Sequence, residues 1–83
     1  MPYIPEDERA ELDGACNFVN SNTSPGELNY VITMMLQRYV GHQHGYTFYN
    51  EVIGVLECVK QEFYRRLVVP YEEKKKEENG DVY

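Results

Sequence analysis

A chain of 83 residues with a net charge of −6, two cysteines and no tryptophan allows one small helical or mixed domain, residues 1–83, and little more. Its acidic balance argues against general DNA or RNA binding, which needs a basic surface. The lack of an apolar run of about 18 residues argues against a membrane span, and MPYIPEDERAEL does not read as a signal peptide.

In chain order, Pro2 and Pro5 keep the first residues out of a helix, and Pro5 suits a first helical position. Glu6, Asp7 and Glu8 then favour the positive end of a helix. Leu12, Cys16 and Val19 follow at spacings of four and three, one narrow stripe. Gly14 weakens that helix by up to about 1 kcal/mol. Residues 20–26, NSNTSPG, are loop by composition.

The second helix carries the best signals. Ser24 and Glu27 have the spacing of a capping box, with Pro25 in the first turn. Leu28, Val31, Ile32, Met35, Leu36, Tyr39 and Val40 form a wide apolar face, and Gly41 stands where a left-handed residue ends a helix. After GHQHG, 41–45, a long third helix is expected from about Thr47 to Val68. Its stripe is Phe48, Val52, Leu56, Val59, Phe63 and Leu67. Pro70 should end or kink it. A short polar helical segment follows, stopped by Asn79-Gly80. It has little apolar support of its own, so Val82 and Tyr83 are expected to pack back on the long helix. The fold class is therefore all-α: a small three-helix domain with a long third helix, a short segment after Pro70 and an extended tail packed back.

Cys16 and Cys58 read as reduced core residues, with a single bridge as the alternative. A chain this short buries only about 60–65% of its unfolded surface, and its two apolar helical faces exceed what the short first helix can cover. A homo-oligomer is expected.

GELNYVIT (26–33), GVLECVKQEFYRR (54–66), PYEEKK (70–75) and ENGDVY (78–83) together resemble a family of small phage and bacterial proteins. Its members begin with an MPYI-like stretch and end in NGDVY. The family is a domain of unknown function. The resemblance runs nearly end to end, and HQHGYTFYN (42–50) fits it least well. It implies a phage-related accessory protein in the cytoplasm of a bacterial host cell, and no established activity.

Few constellations carry chemistry. His42 and His44 read as exposed loop residues; Cys16, Cys58 or acidic residues could complete a metal site with them, but no sequence spacing demands it, so no metal and no cofactor is expected. No nucleophile has an evident base beside it, so no catalytic residue is assigned and no enzyme is expected. Glu62 lies three and four residues before Arg65 and Arg66, the spacing of surface ion pairs. The two arginines can alternatively clamp an anion or a partner's carboxylate. The KKK run at 74–76, between glutamate pairs, reads as a solvated face.

Tyrosine is abundant, at eight residues. It suits half-buried surfaces, partner contacts and stacking on a base. The candidate ligand- or partner-binding residues are thus Arg65, Arg66, Tyr64, Tyr71, Tyr46 and Tyr49. The function expected is a non-enzymatic interaction protein that binds a host protein or assembles on itself. The alternative is an oligomer that sequesters a nucleotide-like small ligand against host defence.

Overall fold

The computed structural model describes residues 3–83; the non-helical start read at Met1 and Pro2 lies outside them. The described residues are helical, with no strand, and the all-α expectation holds. The chain divides into two units, Pro2–Tyr49 and Asn50–Tyr83.

In the first unit, α1 spans Glu6–Asp13. Pro5, extended at φ −51° and ψ 142°, stands just before it rather than within it, and Glu6, Asp7 and Glu8 occupy the first turn. The single stripe expected through Val19 is not one helix. From Gly14 the chain tightens into a 3₁₀ turn, Gly14–Cys16, and Val19 donates to the Cys16 carbonyl in a turn at 3.0 Å. Glycine has no side chain to support the α-helical turn there, so the helix tightens and stops. The loop that follows is held by its own polar groups: Asn22 donates to Asn20 Oδ1 at 2.8 Å, and Asn20 to Thr23 Oγ1 at 3.0 Å.

The second helix, α2, spans Pro25–Val40, and both of its ends match the sequence signals. Glu27 N–H donates to Ser24 Oγ at 3.1 Å, and Ser24 N–H donates to Glu27 Oε1 at 2.9 Å. Two donors that the helix itself cannot satisfy are thereby paired. At the other end the helix stops at Gly41 as expected, though at φ 59° and ψ −123° rather than in the left-handed helical conformation, and Gly41 N–H donates to the Gln37 carbonyl.

A third helix, α3, spans Tyr46–Phe63, and its first residues belong to the first unit. In the second unit it does not end at Pro70. It passes through a wide π turn, Tyr64–Val68, into α4, Val69–Asn79, so the helical run covers 34 residues. Proline removes one N–H, and its ring crowds the carbonyl four residues back. The π turn, in which Val69 N–H reaches the Tyr64 carbonyl five residues back, admits the ring without breaking the helix. Gly80 then stops the run at φ 88° and ψ 149°, a region essentially reserved for glycine.

The tail turns at Gly80, but its apolar side chains do not pack. Val82 is 91% exposed and Tyr83 fully so. Its ties are polar: Tyr83 N–H donates to Asp81 Oδ1 at 2.9 Å, and Lys76 lies 4.0 Å from Asp81. Turn and cap chemistry hold this end, and burial does not.

No described residue is buried. The expectation of cysteines in a core is corrected accordingly: Cys16 and Cys58 are both free and exposed. Neighbours on the same helix half-cover Val31, Met34, Leu36, Val40, Val52, Leu56 and Val68. Such shading comes from i±3 and i±4 side chains and does not make a core.

Candidate functional site

The six candidate residues fall in two places. Tyr46 and Tyr49 open α3, in the first unit; Tyr64, Arg65, Arg66 and Tyr71 surround the π turn in the second. Tyr46 is widely exposed. Tyr49 shares a hydrogen bond with His44 Nδ1 at 3.1 Å, across the positive-φ Gly45. That pairing engages one loop histidine with a phenol. Among the described residues no group of three or more His, Cys, Asp or Glu side chains could hold a metal ion.

Around the π turn, one carboxylate serves two arginines. Glu62 accepts from Arg65 through Oε2, and from Arg66 Nε through Oε1 at 3.3 Å. Its side chain is only 15% exposed under the two guanidinium groups, which are themselves about two-thirds exposed. The sequence spacing foretold this fork. It places two planar cations side by side on the surface, each partly neutralised. An exposed pair of this kind contributes little to stability.

Tyr71 carries Lys75 over its ring, Nζ 5.6 Å from the centroid. A cation at that distance is attracted to the ring face. Lys75 also pairs with Glu78, and Lys76 with Glu73, both at 3.2 Å. Here sequence reasoning named the tyrosine and missed its lysine, although the i, i+4 spacing was present.

Tyr64 faces a different way. With Glu72, Lys76, Asn79 and the tail residues Asp81 to Tyr83 it lines an open groove of about 700 Å³. The groove mixes lysines with carboxylates, so it offers no net field for an anion. Nothing in the sequence pattern pointed to it, because Tyr64 shares that face only once the π turn has rotated the following residues.

Two carboxyl groups are held below their ordinary values. Glu27 is lowered by its hydrogen bonds from Ser24, backbone first. Glu57 is lowered first by Gln61, which donates to it at 3.1 Å, and then by Lys60 at 3.3 Å. Both are exposed, and both effects are local helix chemistry.

The chain belongs to the family described as Domain of unknown function (DUF6899), whose model matches residues 1–82. No curated protein and no solved structure matches it. Among the described residues no helix is long and apolar enough to cross a membrane.

Proposed function

We propose that this chain is a small non-enzymatic interaction protein that works as an assembly of its own copies. One observation carries the reading. No described residue is buried, while Ile53, Val55, Val59, Phe63, Leu67 and Tyr71 are each more than half exposed on one helical run. Isolated helices hold together in water mainly by packing an apolar face against something. Large exposed apolar side chains in this number on one run point to a protein contact. The tyrosines and the arginine fork add the residue types that anchor such contacts.

Native mass spectrometry of untagged protein tests this reading, because it weighs subunits and retained small molecules together. Oligomers with no added mass are expected. A monomer would contradict the reading. An oligomer retaining a nucleotide-sized mass would replace it with ligand sequestration.

A further inference from the structure

We infer that Asn79-Gly80 is a site of spontaneous covalent modification: the native chain converts the Asn79 side-chain amide to aspartate and isoaspartate, and the last turn of α4 sets the rate. Water is the only co-reactant, so the site works without the assembly argued above.

The chemistry starts from the residue pair. An asparagine side-chain carbonyl can be attacked by the backbone nitrogen of the residue that follows it. Asn17, Asn20, Asn22, Asn29 and Asn50 each precede a residue whose side chain crowds that nitrogen. Asn79 is the one asparagine followed by glycine. The fold demands this glycine, because the chain leaves α4 at φ 88° and ψ 149°. A Cβ built at Gly80 would meet nothing within 4 Å beyond its chain neighbours, so the pair lies open to solvent. The residues that stop the helix are therefore also its most reactive pair.

The structure shows what restrains them. Asn79 is the last residue of α4 and is exposed. Among the described residues its side-chain amide has no hydrogen-bond partner. By contrast, Asn20 Oδ1 accepts from Asn22 N–H, and Asn29 Oδ1 accepts from Thr33 Oγ1. Gly80 N–H, however, donates to the Lys76 carbonyl at 2.9 Å, which keeps the attacking nitrogen in the helix. Attack requires that bond to open. The turn is held only by surface pairs: Lys75 with Glu78 and Lys76 with Glu73 at 3.2 Å, and Lys76 with Asp81 at 4.0 Å. A helix end with no burial and only exposed pairs opens readily. Asp13-Gly14 is the comparable pair elsewhere, and it differs twice. Gly14 stays in helical backbone at φ −58° and ψ −30°, and an ionised carboxylate is a poor target for a nucleophile.

When the last turn opens, the Gly80 nitrogen gives its proton to hydroxide and bonds to Asn79 Cγ. The Cγ–Nδ2 bond breaks, and Nδ2 takes a proton from water and leaves as ammonia. A succinimide ring remains. Water then adds to either of its carbonyl carbons and opens the ring. Cleavage at Cγ restores the ordinary backbone with an aspartate side chain. Cleavage at the backbone carbonyl leaves the chain running through Cγ, as isoaspartate. Both products put a carboxylate at the negative end of α4. Isoaspartate also lengthens the backbone by a methylene and carries Gly80 N–H out of register with the Lys76 carbonyl. The change thus runs one way, and it loosens the turn that restrained it.

The test incubates the full chain in mildly alkaline buffer made with heavy-oxygen water. Peptide mapping by mass spectrometry, with fragmentation that separates isoaspartate from aspartate, locates the label. Label is expected at Asn79 in both products, ahead of every other asparagine. Conversion should run about three- to tenfold slower in native buffer than in urea that unfolds the chain, as a locally opening gate requires. Gly80→Ala, compared in urea where the strain at φ 88° plays no part, should slow conversion at least about tenfold, because a methyl group crowds the nitrogen. Amide exchange at Gly80 should be faster in the isoaspartate form than in Asn79→Asp, which carries the charge without the added backbone atom. A chain that converts only once unfolded, or that labels another asparagine as fast, would overturn the site. Equal rates in native buffer and in urea would overturn the gate.

Discussion

The start of α2 and the π turn of the second unit are opposite solutions to the same difficulty. Each must deal with backbone groups that a proline or a helix end leaves unpaired. At Ser24–Glu27 the sequence settles the matter within four residues: two side chains trade hydrogen bonds with two backbone N–H groups, and Pro25 sits where no N–H is needed. At Tyr64–Val69 no side chain caps anything. The backbone itself widens by one residue so that the helix continues past Pro70. The lesson is that a cap is written in residue identities, whereas a π turn emerges from competition between a local breaker and the helix on either side of it.

That contrast can be broken from either end. The largest effect is expected from Pro70→Ala. Alanine is better than proline by about 3 kcal/mol in a regular helix interior, so the run through 64–79 should become more helical by circular dichroism. The same change removes the crowding by the proline ring and should let the π turn relax, so that the Val69 amide bonds to the carbonyl of Arg65 instead of Tyr64. Hydrogen-bond couplings measured by NMR across 64–69 read that shift. A π turn that survives Pro70→Ala would show that something other than the proline holds it.

Ser24→Ala comes next. Loss of the cap should cost about 1 kcal/mol, read as a lower melting temperature and faster amide exchange at Glu27 and Leu28. The second unit should be unaffected in the same exchange experiment.

Acid sharpens the comparison further. Glu27 and Glu57 are both lowered from 4.5. Their contribution is complete above that ordinary value and is lost as pH falls through the lower values of the folded chain, because the unfolded chain then binds more protons. Helix content should drop in that acid range, first in amides near the start of α2. Glu27→Gln should flatten that part of the response, and an unchanged acid profile would remove the capping box from the account.

The smallest effect belongs to the tail. Removing residues 81–83 deletes two exposed apolar side chains and one ion pair at 4.0 Å. Such a pair contributes at most a few tenths of a kcal/mol, so the melting temperature should hardly move. A large drop would show that Val82 and Tyr83 are covered in solution.

These regions also mark what could be read in advance. Both ends of α2 were legible because capping signals act over three or four residues and use distinctive side chains. The Glu62 fork was legible for the same reason, through its i, i+3 and i, i+4 spacing. The break at Gly14 and the passage through Pro70 were not, since a helix breaker sets a cost and its surroundings decide whether the chain stops, tightens or widens. Cys16 and Cys58 were misplaced because a small apolar residue on a stripe looks the same whether it ends up in a core or on the surface. At the tail the helix stop was read correctly and the packing wrongly: Asn79-Gly80 specifies where the helix ends, and nothing local says what Val82 and Tyr83 will touch.

The central claim is that these helices are completed by association. Circular dichroism and sedimentation velocity, followed together on dilution of the full chain, test it most directly. Helix content and mass should fall together as the assembly dissociates. A monomer that keeps its full helix content on dilution would contradict the account.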